Sequence, residues 1–221
     1  YGTLFMSGSG DMASRDPQGD SAIMADALQA AGVKTRSARA AAYAAAQWRP
    51  AIEKARSLVR QTGVDVPEID LVTVWRDLLH EMMSRRMVEG PLDHDVLDRL
   101  AVEFECRQNP VWPMPDCLRV LSELHQRGLV MGLVSNGQFY SSLLFEALLG
   151  APLEALGLDP ALCVWSYQKR IAKPSPMLWA FAVEALESRY GIHPVHVVTV
   201  GNDMTNDVRA SAILGCRTVL F

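Results

Sequence analysis

The sequence predicts an α/β fold, a parallel sheet core interrupted by a helical insertion, on three observations. The second half alternates short apolar runs with helical segments. Those runs show no polar face, as strands covered on both sides require. The stretch between an opening motif and that half shows helical periodicity and no convincing strand.

The chain opens on Tyr1-Gly2-Thr3-Leu4-Phe5, and residues 6–20, rich in Gly, Ser and Asp, predict a flexible linker. Asp20 or Ser21 caps a first helix that runs to Ala31 and stops at Gly32. Ser37 to Gln47 is rich in alanine, the best helix former. Leu71, Val74, Trp75, Leu78, Leu79, Met82 and Met83 form one apolar helical stripe. Val96, Leu97, Leu100, Ala101 and Phe104 form another after Gly90-Pro91.

From Met114 the pattern changes. Asp116 to Arg127 predicts a helix stopped by Gly128, and Leu129 to Val134 a strand. Phe139 to Leu149 predicts a helix, Leu162 to Trp165 a short strand, and Pro176 to Tyr190 a helix ended by Gly191. Val195 to Val200 predicts a third strand, Asn206 to Leu214 a helix, and Thr218 to Phe221 a fourth strand. Right-handed crossovers place the C-terminal ends of parallel strands on one edge of the sheet, where sites form.

Composition bounds the function. With 49% hydrophobic and 21% charged residues in 221, the chain has the makings of a packed core. A net charge of −4 argues against a nucleic-acid partner, which would need clustered Lys and Arg. No apolar run approaches the roughly 20 residues that span a bilayer. The N-terminal stretch lacks the basic start and apolar segment of a secretory signal. Cys106, Cys117, Cys163 and Cys216 are scattered, which fits reduced thiols and a cytoplasmic setting.

The chemistry-bearing residues fall at the predicted strand ends. Ser135-Asn136-Gly137 ends the first strand of the second half. A hydroxyl, an amide and backbone N–H groups there suit a phosphate or other anion, and they equally suit an ordinary turn. Lys169 to Pro174 is a basic loop before a helix, either solvated or supplying a fixed cation. Gly201 to Asp207 ends the third strand with Asp203 and Asp207 four apart. Paired carboxylates at a strand tip suit Mg²⁺, which takes one or two of them and keeps several waters; an N-cap by Thr205 or Asn206, with Asp207 favouring the helix dipole, is compatible. His193 and His196 form an H-x-x-H that lacks the further ligands zinc would want.

Taken together and in this order, these pieces resemble the haloacid dehalogenase-like (HAD) hydrolase superfamily. Tyr1 to Phe5 is similar to the tail of its first motif, written D-x-D/Y-G-T-L, and Leu133 to Asn136 to its second. Lys173-Pro174 is similar to the third, and Gly201-Asn202-Asp203 through Asn206-Asp207 to the fourth. Residues 118–128 resemble the helix before the second motif. The resemblance implies a Rossmann-like core formed by residues 1–8 and 113–221. It implies a type-1 α-helical cap, with linkers, over residues 9–112.

The resemblance further implies a carboxylate nucleophile, a covalent aspartyl intermediate and its hydrolysis by water. In the phosphatase branch the cofactor is Mg²⁺ and the substrate a small phosphorylated metabolite. By the match, Ser135, with Asn136 and Gly137, binds the transferring group. Lys173 stabilises the nucleophile and the developing charge, and Thr3 shapes the first-motif turn. Asp203, Asp207 and the backbone carbonyl of Tyr1 hold the metal. Asn202 stands where the family is often acidic, so the metal role there could have moved to Asp203.

Two departures stand out. The nucleophilic Asp should lie two residues before Tyr1, so upstream residues carrying the central strand are expected. Tyr1 itself occupies a position where family phosphatases usually carry a second Asp. A tyrosine there resembles the metal-independent 2-haloacid dehalogenases, while the acidic fourth motif resembles the Mg²⁺-dependent branch. The carboxylate pair carries more weight, because like charges at one strand tip are costly without a cation between them. A dehalogenase, or a HAD-like binding protein without catalysis, is the alternative. Trp75 and the methionines around it suit core or cap interface, and Trp75 with Met82 and Met83 also offers an apolar surface for a homodimer.

Overall fold

A computed structural model of the chain describes residues 2–8 and 20–221. Tyr1, and with it the expected carbonyl ligand, lies outside the described residues, as does most of the 6–20 linker. The chain divides into two compact units. One is α/β and comprises Tyr1–Met6, Thr62–Glu68 and Trp112–Phe221; the other is helical and comprises Ser7–Gln61 and Ile69–Val111. Residues 62–68, which the sequence places within the helical insertion, therefore group with the α/β unit.

In the helical unit, α1 (Ser21–Ala30) starts at Asp20, whose carboxylate accepts the Ala22 N–H at 2.7 Å. Helix α2 (Ala40–Arg60) runs well past Gln47 and through Pro50. A proline removes one helical hydrogen bond, but Trp48 and Ile52 on either side of it are buried, and that burial carries the helix onward. Helix α3 (Leu71–Ser84) is capped by Asp70 and α4 (His94–Gln108) by Asp93. Between these helices, β2 (Lys34–Thr35) and β3 (Val88–Glu89) pair antiparallel, each too short to leave a sequence signal.

The core of this unit is aromatic. Trp48 stacks on Trp75 with centroids 4.1 Å apart, and Phe104 meets both rings edge-on at 5.1 Å. Trp75 and Met82 are fully buried. The apolar surface expected to support a homodimer is thus the interior of this unit. The amphipathic stripe was legible, but α2 and α4 supply its partner within the same chain.

The α/β unit begins with β1 (Phe5–Ser7), which pairs with β4 (Val111–Pro113) where the chain passes between units. Then come α5 (Cys117–Gln126), β5 (Met131–Ser135), α6 (Tyr140–Leu149), β6 (Leu158–Trp165), α7 (Ser166–Lys169) and α8 (Pro176–Tyr190). The unit ends with β7 (Val198–Gly201), a wide helical turn over Met204–Arg209, α9 (Ala210–Ala212) and β8 (Arg217–Leu220). Strand β6 starts four residues earlier than its apolar run, because Asp159 and Pro160 sit in an otherwise extended segment.

Strands β5 and β6 run parallel, with Ser135 opposite Trp165, and β7 and β8 run parallel, with Gly201 opposite Leu220. The sequence predicts one continuous sheet. Among the described residues the four strands form two separate pairs, and Val198, Val200 and Val219 keep about half their surface exposed. Val164, Leu178 and Ala182 form the buried centre between β6 and α8, with Val134 and Phe181 packed against it. Among the described residues no helix is long and apolar enough to cross a membrane.

Candidate active site

Three strand-end segments of the α/β unit meet around Lys173. Strand β5 delivers Ser135-Asn136-Gly137. The loop after α7 delivers Lys173, joined to Pro174 by a cis peptide bond. Strand β7 delivers Asn202, Asp203 and, one turn on, Asp207.

Lys173 binds to both of the other segments. The Asn136 side chain brackets its backbone: Oδ1 accepts the Lys173 N–H at 2.7 Å, and Nδ2 donates to the Lys173 carbonyl at 3.2 Å. At the other end, Lys173 Nζ donates to Asp207 Oδ1 at 2.6 Å, with only 14% and 7% of the two side chains exposed. Nζ also lies 5.8 Å from the centre of the Trp179 ring. Lys169, by contrast, sits over Phe181 at 4.3 Å, so it is Lys173 that reaches Asp207 from this loop.

The two aspartates play different parts. Asp203 Oδ1 accepts the N–H groups of Thr205 and Asn206 at 2.7 and 2.6 Å, which is the capping geometry. Asp207 is buried, and its Oδ2 accepts the Asp203 N–H at 3.2 Å. Gly201 is required beneath it, since a Cβ there would collide with the Asp207 carboxylate. Gly2 plays the same part for Asn202, whose side chain lies against the glycine backbone and so beside the opening motif. Thr3 stands in the tight turn closed by the Gly2 N–H on the Phe5 carbonyl at 2.7 Å.

The β5 turn divides its groups likewise. Ser135 is half-buried, and its hydroxyl makes no hydrogen bond among the described residues, so it is open to a ligand. Asn136 is committed to Lys173. The Gly137 N–H donates to Ser166 Oγ at 3.0 Å and the Gln138 N–H to Ser141 Oγ at 3.1 Å. The Gly137 and Gln138 amides expected to receive an anion are therefore held by serine hydroxyls, whereas the Ser135 hydroxyl has no such partner among the described residues. Ser166 and its partner Glu68 carried no sequence signal. Each is an ordinary residue until the fold sets Glu68 98 positions away in sequence but 2.8 Å away in space.

The donor set fits a hard cation in part. Its polar groups are oxygen donors, two of them carboxylates, as Mg²⁺ prefers. Asp207 already has both oxygens engaged, while Asp203 Oδ2 is open. No group of three His, Cys, Asp or Glu residues is arranged for a metal among the described residues, and an ion that keeps most of its waters does not need one. His193 pairs with Glu187 at 2.8 Å on the surface.

With this geometry, comparison with known proteins defines the class. A family model of haloacid dehalogenase-like hydrolases matches residues 12–215, and the chain belongs to that family. Its fold is the Rossmann-like α/β core with an inserted helical cap. The chain is 27% identical over 207 residues to phosphoserine phosphatase from Thermus thermophilus, covering 90% of this chain and 80% of that protein. Among solved structures, a HAD phosphatase from Thermococcus onnurineus superimposes with a TM-score of 0.52 at 16% identity, covering 91% of this chain and 75% of its own. A 2-haloacid dehalogenase from Pseudomonas syringae pv. Tomato DC3000 superimposes with a TM-score of 0.47 at 18% identity, covering 94% and 83%.

Proposed function

We propose that the protein is a Mg²⁺-dependent phosphatase that hydrolyses a small phosphorylated metabolite by way of an aspartyl-phosphate. The observation that carries this reading is the Lys173 junction. One buried ammonium is oriented by Asn136 and paired with Asp207, next to the open Ser135 hydroxyl. Such an arrangement suits a doubly charged phosphoryl group, and the nucleophile would be the aspartate that the first motif calls for. The likeness to a phosphoserine phosphatase supports it and makes O-phosphoserine the first substrate to try.

In this reading Ser135 donates its hydroxyl hydrogen to a phosphoryl oxygen. Lys173 balances the charge that gathers between nucleophile and phosphorus, where a fixed cation is worth most. Asn136 acts on Lys173 through its backbone, and Thr3 maintains the first-motif turn. Mg²⁺, when bound, would neutralise phosphoryl oxygens. Asp203 and Asp207 would hold it, with the Tyr1 carbonyl and Asn202. Four unpaired cysteines fit a cytoplasmic enzyme, and the net negative charge fits a protein without nucleic-acid partners.

Tyr1 favours a second reading, in which the same nucleophile displaces halide from a 2-haloacid. One experiment separates the two. Phosphate release from O-phosphoserine and other phosphomonoesters is measured with Mg²⁺ and after chelation, alongside halide release from 2-chloropropionate. Phosphate release that chelation abolishes is expected. Halide release without phosphate release selects the dehalogenase, and phosphate release that survives chelation removes the metal from the proposal.

A further inference from the structure

Residues 62–68 lie between α2 and α3 in sequence, yet they belong to the α/β unit. They form a strap along the loop that carries Lys173. The Glu68 N–H donates to the Arg170 carbonyl at 3.1 Å, and the Ala172 N–H to the Val66 carbonyl at 2.9 Å. Pro67 and Ile171 face each other across this antiparallel bridge. The strap therefore pairs with the backbone up to the residue before Lys173.

Its last side chain reaches the other site segment. Ser166 is completely buried, and its Oγ lies 2.8 Å from Glu68 Oε2, 3.0 Å from the Gly137 nitrogen and 3.4 Å from the Gly137 carbonyl. A hydroxyl has one hydrogen to give. The short contact to a carboxylate oxygen claims it over the longer one to a carbonyl. The Ser166 lone pairs accept the Gly137 N–H, and Glu68, by taking the hydroxyl hydrogen, anchors the oxygen that accepts it.

We infer that Glu68 is a positioning residue for this site: through Ser166 it holds the Gly137 amide, and with it the Ser135–Gly137 turn that presents the Ser135 hydroxyl to the transferring group. The same strap holds the Lys173 loop by its backbone. One short stretch thus fixes two of the three segments relative to each other. Glu68 touches neither substrate nor metal in this role. The inference rests on the phosphatase reading for its effect on turnover, but the hydrogen-bond chain itself is independent of what the enzyme hydrolyses.

The test uses the full chain as wild type, Glu68→Ala, Glu68→Gln, Ser166→Ala and the Glu68→Ala/Ser166→Ala double variant. Two quantities are read: exchange of the Gly137 amide hydrogen by NMR, and kcat and KM for O-phosphoserine per folded molecule. Gly137 exchange should rise about tenfold or more in both alanine variants, because its acceptor is lost or turned away. Glu68→Gln should retain most of the protection, since its amide oxygen still accepts the Ser166 hydrogen. The drop in kcat should be about tenfold with KM changed less than about threefold, and the double variant should be no worse than Ser166→Ala alone. Unchanged Gly137 exchange in Glu68→Ala overturns the inference. So does a Glu68→Ala variant that loses thermal stability while keeping wild-type kcat. If the wild type releases no phosphate, the phosphatase reading falls, and Gly137 exchange alone decides the role of Glu68.

Discussion

Lys173 and Asp207 form a pair whose removal has two distinct consequences. Both side chains are nearly buried, so deleting one leaves the other charge without compensation. Asp207→Ala should therefore cost about 3–5 kcal/mol of stability in urea unfolding, besides abolishing turnover. Lys173→Ala should lower kcat by about 10²- to 10³-fold, whereas Lys34→Ala, on an exposed two-residue strand, should leave both kcat and stability near wild type. A Lys173→Met/Asp207→Leu variant separates the two roles, and should recover much of the stability without recovering activity.

The thiols make a second residue-scale prediction. Burial pushes the Cys163 thiol up to about 12. At pH 8 only about one Cys163 in ten thousand is then thiolate, and a disulfide reagent should modify it only after denaturation. Cys106 is exposed and should react first, although burial of its sulfur and the neighbouring Glu105 also raise it. The linkage has a definite sign: a raised thiol favours the neutral fold. Its contribution is complete below the ordinary value of 9.0 and is lost as pH rises towards 12, so alkaline unfolding should be steepest in that window.

At the scale of elements, the end of β7 shows how backbone and site are coupled. Gly201 leaves the space that the Asp207 carboxylate occupies one turn later. Gly201→Ala should displace that carboxylate from Lys173 and reduce turnover at least tenfold, with a loss of about 1–3 kcal/mol from overpacking. In α3 the corresponding element-scale residue is Trp75. Removing its ring from Trp48 and Phe104 should cost about 3–5 kcal/mol in Trp75→Ala. Trp75→Phe should cost less, because the buried indole N–H has no hydrogen-bond partner to lose among the described residues.

At the scale of the whole molecule, each unit has its own core, the helical one around Trp75 and the α/β one around Leu178. Domains with separate cores need not unfold together. In Trp75→Ala, far-UV dichroism should show loss of helix at urea concentrations where Cys163 is still protected from thiol reagents. Coincident transitions would show instead that the chain unfolds as one cooperative body.

Much of this protein is legible without any fold, because periodicity and capping are local. Asp20 stands at a helix start, and glycines at 32, 150 and 191 mark stops with positive φ. The candidate residues Ser135, Lys173, Asp203 and Asp207 are recognisable by type and position at strand ends, and the fold gathers their segments. Other features depend on partners that no spacing encodes. Helix α2 passes through Pro50 because tertiary burial outweighs one missing hydrogen bond. The Trp75 stripe faces inward because neighbouring helices cover it. Asp203 caps a turn while Asp207 takes the lysine, a division that two carboxylates four residues apart do not reveal. Glu68 became visible only when an antiparallel bridge brought it beside a serine distant in sequence. The sequence by itself determined the longer helices, the strand-end residues and the family, since these rest on local propensity and short motifs. Only the tertiary structure decided which polar groups are already satisfied and which stay open to a ligand, because a hydrogen bond between distant residues exists only once the chain has brought them together.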